Sequence, residues 1–223
     1  MKIGIVGGTG DIGEGIAMRL SPNHDVVIGS REEDKAVESS DACYATVTKL
    51  GLPCSVSGYS NQEAVDRSDI IILAIQFRHI EPTITSLHGF EKKIVISPIN
   101  PMEKRDFFVY TPPPEGSAAL LVKKLLPPET RLCSAFNTVA ANKWKALTEP
   151  LDLAVPVCGD DPVTKATVLD IVRSIPGVKA YDAGPLAVSC MVECLTPLLL
   201  NIARFNKMKD VGIQFRRTPT IFL

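Results

Sequence analysis

A glycine-rich turn lies near the amino terminus, between an apolar segment and a helix-like segment. Gly8, Gly10 and Gly13 follow the spacing G-x-G-x-x-G directly after the apolar residues 2–6. Gly8 would allow a tight turn, Gly10 would let the backbone approach phosphate groups, and Gly13 would let the helix lie close to the strand. Unpaired N–H groups at the start of that helix would then bind the pyrophosphate of a dinucleotide.

The residues after the second apolar segment indicate which dinucleotide binds. NAD enzymes place an acidic residue there, which accepts hydrogen bonds from the ribose 2′-OH. This chain instead has Ser30 and Arg31, with Lys35 one helical turn further on. A hydroxyl and two cations would hold a 2′-phosphate that a carboxylate would repel, so we predict NADP rather than NAD. The alternative is a glycine-rich turn followed by solvent-exposed charges.

One acidic residue lies close to the expected pyrophosphate. Asp11 directly follows Gly10 and adds a negative charge where an anion should bind. Aspartate is common at the amino-terminal cap of helices, because its side chain accepts hydrogen bonds from free N–H groups. We therefore expect Asp11 to cap the helix with its side chain turned away from the ligand.

Strand-like and helix-like segments alternate along most of the chain. Continuous apolar runs such as residues 70–75 are typical of parallel strands buried on both faces. Strands are predicted at 2–6, 25–28, 54–58, 70–75, 93–97, 131–135, 153–158 and 178–182, and helices at 11–20, 33–50, 61–67, 78–87, 117–126, 142–147 and 162–174. This order predicts an α/β fold, a doubly wound Rossmann-type parallel sheet that forms an NADP-binding domain over residues 1–182.

The pattern changes in residues 183–223, where an apolar helical segment is appended. Residues 187–208 are predicted to form one long helix, much of it apolar on every face. Such a helix either lies in a groove of its own sheet or forms a subunit interface. We expect a homodimer, and we expect Leu199→Glu to disrupt it. Asn201 and Arg204 interrupt the apolar run, so no membrane span is predicted.

Ligands of an open parallel sheet bind beyond the carboxyl ends of its strands. The loops expected there are 76–79, 98–101, 136–141 and 159–161, and they should surround the nicotinamide. Phe77 either flanks the cofactor or caps the core, and His79 is either an acid or base or a positioning or helix-capping residue. Asn100 lies in the second of these loops.

The sequence contains no Tyr-x-x-x-Lys pair, no Ser-His-Asp set and no metal-ligand spacing. Carbonyl reduction requires a proton donor beside the path of the hydride. We therefore predict no catalytic side chain and no metal site. A second substrate that is itself a redox cofactor would fit such a site, because the protein would only have to hold two rings together and exclude water.

Charge and cysteine content restrict the partners and the compartment. A net charge of −1 gives no electrostatic case for nucleic acid or for an anionic membrane surface. The six cysteines include no Cys-x-x-Cys pair, and Cys190 and Cys194 are better explained as core thiols than as a metal or redox pair. No targeting segment is recognised. We expect a reduced, cytoplasmic protein.

Several stretches resemble the NADP-dependent oxidoreductases of coenzyme F420, a deazaflavin hydride carrier. Besides the glycine turn, the resemblance is carried by residues 29–31, 134–138, 155–161, 182–186, 193–198, 201 and 204–206. It implies a cytoplasmic homodimer that moves a hydride between NADPH and the deazaflavin. It also implies NADP contacts at Thr9, Gly10, Asp11, Ile12, Ser30, Arg31 and Lys35, nicotinamide contacts at Ile75, Phe77, His79 and Ala141, and closure of the deazaflavin end near Val211 and Gly212.

The chain departs from this family at a few positions. Asn137 and Ala140 stand where some members have His and Pro, Gln76 stands where some have Pro, and residues 216–223 run past the usual end. These departures concern the deazaflavin pocket rather than the NADP site. Two alternatives are NADPH-dependent reduction of a flavin or of a small carbonyl or imine, and a redox sensor that binds NADP without turnover.

Overall fold

One large sheet positions the candidate site in this computed structural model, which describes residues 1–217. Its eight strands follow the spatial order β10-β9-β8-β5-β4-β1-β2-β3. They are β1 (Lys2–Val6), β2 (Asp25–Ser30), β3 (Ser55–Ser60), β4 (Ile70–Leu73), β5 (Ile94–Ser97), β8 (Arg131–Ser134), β9 (Leu153–Gly159) and β10 (Val178–Gly184), and β6 (Met102–Lys104) pairs with β7 (Phe108–Tyr110) in a separate hairpin. Residues 218–223 of the predicted tail lie outside the described residues.

Helices cover both faces of the sheet, as a doubly wound fold requires. They are α1 (Asp11–Leu20), α2 (Glu33–Lys49), α3 (Asn61–Asp66), α4 (Ile80–Thr85), α5 (Ala118–Leu125), α6 (Ala141–Lys145), α7 (Pro162–Arg173), α8 (Ser189–Glu193) and α9 (Leu195–Phe205). In β4, Ile70 and Ile72 join the core beneath α1, α2 and α7, while Ile71 and Leu73 join the core beneath α3, α4 and α5. The apolar run is therefore buried on both faces, which confirms the predicted fold class.

The last two strands of the sheet run against the other six. β8 and β9 pair antiparallel, with Cys133 opposite Gly159, whereas β9 and β10 pair parallel. The loop 159–161 is therefore directed away from the carboxyl edge of β8, so the prediction that it surrounds the nicotinamide is wrong. Asp160 instead lies beside Lys123 and accepts a hydrogen bond from the N–H of Leu186 at 2.9 Å.

Three local predictions differ from the observed elements. The helix expected over 78–87 is a 3-10 turn, Phe77–His79, followed by the short α4. The hairpin of β6 and β7 is not predicted, because strands of three residues are too short to show a period of two. The strand expected over 70–75 ends at Leu73, which leaves residues 74–76 as a loop beyond the sheet.

The carboxyl-terminal helix is interrupted rather than continuous. A 3-10 turn at Leu186–Val188 leads into α8, and Cys194 separates α8 from α9. Pro197 explains the interruption, since its ring collides with the carbonyl four residues earlier in a regular helix. The expected helix end at 208 is also too late, because α9 ends at Phe205.

Only one side of this segment packs against the rest of the chain. Val192 and Leu199 are buried, whereas Met191, Leu198 and Phe205 are 66%, 52% and 68% exposed. By length and apolar composition, residues 186–205 meet the requirement for a membrane span, contrary to our expectation from Asn201 and Arg204. The same measures also suit a helix that packs on a water-soluble domain, so they are weak evidence for a span.

Candidate active site

The glycine turn after β1 has the geometry of a strand that passes directly into a helix. The tight turn that we attributed to Gly8 depends on Gly7, which takes the left-handed backbone conformation with φ of 71°. Gly8 is required for packing, because a Cβ there would lie 2.9 Å from the Ile5 carbonyl oxygen. A Cβ at Gly13 would lie 2.6 Å from the Gly8 Cα, so the close approach of helix and turn is as predicted.

Gly10 differs from these three glycines, because the protein itself does not require it. A Cβ added at Gly10 would meet only the Gly7 carbonyl oxygen, at an ordinary 3.7 Å. Gly10 is the amino-terminal cap of α1, and no side chain caps this helix. The first N–H groups of α1 therefore face the cleft without a side-chain partner, which is the arrangement that binds a phosphate.

The charge of Asp11 is neutralised by a lysine from a distant part of the chain. Lys145 Nζ lies 2.8 Å from Asp11 Oδ1 and 2.7 Å from Glu14 Oε2. Asp11 does not cap α1, so the predicted capping role is wrong. The hydrogen bond and the charge of Lys145 lower the pKa of the Asp11 carboxyl, which stays ionised but paired. The ion pair also ties the carboxyl end of α6 to the start of α1.

The residues after β2 form a rim of two cations, Arg31 and Lys35, and three acidic residues, Glu32, Glu33 and Asp34. Ser30 is buried, and its Oγ accepts a hydrogen bond from the N–H of Glu32 at 3.2 Å, which leaves the hydroxyl proton free to donate. Arg31 is exposed and forms no ion pair within residues 1–217. Lys35 Nζ lies 2.7 Å from Glu32 Oε1, a pairing that the sequence analysis overlooked. The bond to Lys35 lowers the pKa of the Glu32 carboxyl.

A cleft of about 960 Å³ opens at the carboxyl edge of the parallel strands. It contains seven of the predicted site residues, namely Gly10, Asp11, Ile12, Ile75, Phe77, Asn100 and Ala141. Its other lining residues are Ala74, Gln76, Arg78, Pro98, Ile99, Met102, Glu103, Thr111 and Pro112. The hairpin contributes Met102 and Glu103 to this lining, and the two residues that follow it contribute Thr111 and Pro112. The sequence analysis did not predict this part of the lining.

His79 and the segment at Val211 are not part of this lining. The exposed His79 accepts a hydrogen bond at Nε2 from Arg78 Nε, at 3.2 Å. The segment of Val211 and Gly212 lies next to α6, because Asn142 Nδ2 donates to Asp210 Oδ1 at 3.1 Å. It also follows β9, since the N–H of Ala154 donates to the carbonyl of Ile213 at 2.8 Å.

A buried arginine fixes the short helix that carries Ala141. Arg19 of α1 is 5% exposed and donates to main-chain carbonyls of α6 and the residues after it. Its Nε lies 2.9 Å from the carbonyl oxygen of Trp144, and its Nη2 lies 2.6 Å from that of Ala146. Five residues make only a marginal helix, so these bonds are what holds Ala141 at the edge of the cleft.

Two asparagines join the loops after β5 and β8 to the carboxyl-terminal helix. Asn137 Nδ2 donates to the carbonyl of Ile99 at 3.2 Å, and Asn100 Nδ2 donates to the carbonyl of Asn137 at 2.9 Å. Thr196 Oγ1 donates to that same carbonyl at 2.6 Å. The amide of Asn137 is thus buried and hydrogen-bonded within the protein. Asn137, which stands where some members of the family have His, therefore has a structural role.

Buried thiols take no evident part in the cleft. Burial raises the pKa of the Cys133 thiol to about 12 and that of the Cys158 thiol to about 11, so both stay protonated at neutral pH. Within residues 1–217, no three His, Cys, Asp or Glu side chains lie close enough together to hold a metal ion. A smaller cavity of about 390 Å³, beside His88 and Leu125, lies at the opposite edge of the sheet.

Comparison with known proteins places the chain in a family. Residues 2–101 match a family model described as NADP oxidoreductase, coenzyme F420-dependent. An F420-dependent NADP reductase of Methanocaldococcus jannaschii is 35% identical over 220 residues, which are 96% of this chain and 97% of the relative. The chain belongs to the family of the F420-dependent NADP reductases. The reductase of Methanothermobacter marburgensis is 30% identical, over 98% of this chain and all of the relative.

The fold agrees with that of a further protein of this kind. The structure of a candidate F420-dependent NADP reductase from Arthrobacter sp. FB24 superposes with a TM-score of 0.78 at 18% identity. The match covers 97% of this chain and 100% of the other. At that identity the likeness concerns the fold alone, and it extends through the carboxyl-terminal segment.

Proposed function

We propose that this chain transfers a hydride between NADP(H) and the deazaflavin coenzyme F420. The observation that carries the proposal is the cleft at the carboxyl edge, which joins an uncapped helix start at Gly10 to a second wall formed by Phe77, Asn100 and Ala141. Full-length similarity to F420-dependent NADP reductases supports the same reaction.

The turn and the rim after β2 would hold the NADP. The first N–H groups of α1, with Thr9, Gly10, Asp11 and Ile12 around them, would bind the pyrophosphate. Ser30, Arg31 and Lys35 would bind the 2′-phosphate, with the hydroxyl donating and the two cations supplying opposite charge. A bound NADP would thus extend from β2 across β1 towards β4, with the nicotinamide near Ile75.

The other end of the cleft would hold the deazaflavin. Phe77, Asn100 and Ala141 line that end, and the segment of Val211 and Gly212 would close it. The nicotinamide and the deazaflavin supply the hydride chemistry when bound. The protein would press the two rings together and exclude water, and the proton that balances the reaction would exchange with solvent. His79 would help to position the residues that follow β4, residues 74–79, rather than donate or accept a proton.

We propose a cytoplasmic homodimer in which residues 183–217 form both the interface and one wall of the site. The exposed apolar residues Met191, Leu198, Ile202 and Phe205 on one side of α8 and α9 support this assembly. Leu199 is only 9% exposed and packs inwards, so Leu199→Glu would disturb the fold as well as an interface. Leu198→Glu is the cleaner variant, and sedimentation at micromolar concentration should show the dimer becoming a monomer.

The reaction is tested by mixing the enzyme and NADPH with separate acceptors while the absorbance of each acceptor is followed. F420 should be reduced rapidly, whereas riboflavin, a small aldehyde and a cyclic imine should not. Reduction of an imine without reduction of F420 would replace the proposed function. Tight NADPH binding without turnover of any acceptor would favour a sensor instead.

A further inference from the structure

We propose that Asn201 is a positioning residue, which holds the hairpin of β6 and β7 in place as the outer wall for the second substrate. The inference rests on the proposed function, because it assigns the hairpin to the F420 end of the cleft. Asn201 itself does not line the cleft. It acts through the main chain of Phe108, on the strand that pairs with the cleft-lining Met102 and Glu103.

The hairpin cannot hold this position unaided. Each strand has three residues, and the pair forms a sheet of its own, apart from the large sheet. An isolated two-stranded hairpin is marginally stable at best in water. Its first strand is exposed along its whole length, and Phe107 in the turn is 49% exposed. Its order must therefore come from contacts with the rest of the protein.

Asn201 supplies such a contact at the far end of the hairpin. Its Nδ2 donates to the carbonyl of Phe108 at 2.8 Å, and its Oδ1 accepts from the N–H of Phe108 at 2.8 Å. The side-chain amide thus satisfies both main-chain groups of one residue, as a neighbouring strand would. Phe108 pairs with Lys104 next to the turn, so this anchor acts on the tip of the hairpin.

The base of the hairpin has a separate anchor. Tyr110 donates its hydroxyl proton to Glu193 Oε2 at 3.2 Å, and the base is itself closed by the N–H of Thr111, which donates to the carbonyl of Pro101 at 3.0 Å. Loss of Asn201 should therefore release the tip while the base stays attached. This separation lets the role of Asn201 be tested without dismantling the fold.

The hairpin lies at the end of the cleft that is remote from the 2′-phosphate rim. It follows β5, whereas the rim follows β2, and β4 and β1 lie between these two strands in the sheet. A dinucleotide that reaches from β2 to β4 ends before the hairpin. A change at Asn201 should therefore affect the second substrate and leave NADPH binding unchanged.

Two variants and one control test the proposal. Asn201→Ala removes both hydrogen bonds, and the nearly isosteric Asn201→Asp keeps the acceptor but sets a carboxylate oxygen against the Phe108 carbonyl. Asn23→Ala is the control, because Asn23 precedes β2 at the amino edge of the sheet, away from the cleft, and its Nδ2 donates to the carbonyl of Ser174 at 3.1 Å. The readouts are hydrogen exchange of amides 102–110, the Kd of NADPH, and the KM of F420.

We expect amide exchange in the hairpin and the KM of F420 to rise about tenfold in both variants, because Asn201→Ala loses two neutral hydrogen bonds and Asn201→Asp loses one and adds a repulsion. The Kd of NADPH should stay within about twofold, and the control should match the wild type. Unchanged exchange, an unchanged KM despite faster exchange, or an equal weakening of NADPH would each overturn the proposal. Absence of F420 turnover in the wild type would instead refute the proposed function. The exchange and NADPH measurements would still test whether Asn201 holds the hairpin in place.

Discussion

The first end of the proposed site, at the glycine turn and the rim after β2, and its second end, at the cleft beneath the hairpin, are held together over very different distances along the chain. At the first end, the turn, the start of α1 and the rim all lie within residues 7–35, where glycines and main-chain N–H groups predominate. At the second end, side chains join segments far apart: Asn201 lies 93 residues from Phe108, and Thr196 lies 59 from Asn137. The first end is mainly a local motif, to which the distant Lys145 adds an ion pair with Asp11, whereas the second end is assembled from segments that meet only in the folded chain.

This difference predicts separable effects on the two substrates. Changes near β1 and β2 should alter the binding of NADP(H) alone, while changes near α6, α8 and α9 should alter the second substrate or the hydride step. The substitutions below, in order of decreasing expected effect, test whether the two sets of effects are separable.

The largest effect is expected from Ala141→Leu. A larger side chain at the start of α6 would separate the rings, whose reacting carbons must approach to about 3–3.5 Å. We expect kcat to fall more than about a hundredfold, while His79→Ala lowers it less than that, below the upper range of a general acid–base contribution. Stopped-flow measurement of the hydride step checks both variants. Loss of turnover in His79→Ala with normal turnover in Ala141→Leu would require an acid–base mechanism on another acceptor.

Arg31→Ala should affect only the first end. Removal of a charge-assisted hydrogen bond to the 2′-phosphate, worth roughly 1.5–3 kcal/mol, should raise the KM for NADPH about tenfold or more. The KM values for NADH and F420 should change little. Lys49→Ala, at the other end of α2, is a control with the same loss of charge. Equal weakening of NADPH and NADH would contradict the assignment of the 2′-phosphate site.

Glu193 gives the second end a dependence on pH. Its carboxylate is fully buried and accepts from the N–H groups of Ala118 and Ala119, and burial raises its pKa to about 7. A carboxyl group whose pKa is raised in the folded state contributes stability that is fully present below its pKa in the unfolded chain. This contribution is lost as the pH rises through the folded-state pKa of about 7. From about pH 5 to about pH 8, the Tm of the wild type should therefore fall relative to that of Glu193→Gln.

The control for this pH effect is Glu38→Gln, which removes an exposed carboxylate of α2 and should leave the profile of the wild type unchanged. Parallel pH profiles for the wild type and Glu193→Gln would show that Glu193 does not titrate in this range.

The smallest effect is expected from Glu32→Gln. Lys35 and Glu32 form an exposed ion pair, which contributes little to stability because solvent screens it. The variant frees Lys35 and removes a negative charge beside the 2′-phosphate, so the Kd of NADPH should fall about two- to threefold. This difference from the wild type should disappear at high salt, which screens the charges. Fluorescence titration checks this, with Glu38→Gln as the control. Weaker NADPH binding would mean that Glu32 orients Lys35 rather than competing for it.

Sequence reasoning succeeded where one strand-turn-helix unit contains the information. The glycine spacing and the alternation of apolar runs predicted the close approach of the helix at Gly13 and the doubly wound sheet, and the loops expected beyond the strands include the cleft-lining Phe77, Asn100 and Ala141. It attributed the tight turn to Gly8 and did not single out Gly7, whose left-handed conformation only the backbone angles reveal.

The parts that could not be predicted depend on contacts across the chain. Nothing in the sequence near Asp11 points to Lys145, and nothing near Phe108 points to Asn201. The reversal of β9 and β10 also leaves no local trace, since a buried strand has the same apolar pattern in either direction. Glu32 is different, because its position three residues before Lys35 was visible and indicates a helical ion pair.

The central claim is that the hydride passes directly from one bound ring to the other without a protein group in between. Turnover of F420 in ordinary water with NADPH deuterated at the transferred position of C4, followed by mass spectrometry of the reduced F420, tests this most directly. Direct transfer predicts that each molecule of product carries one deuteron from the NADPH. Product that contains only protium, because the label has been exchanged with solvent through a protein acid or base, would contradict the proposed mechanism.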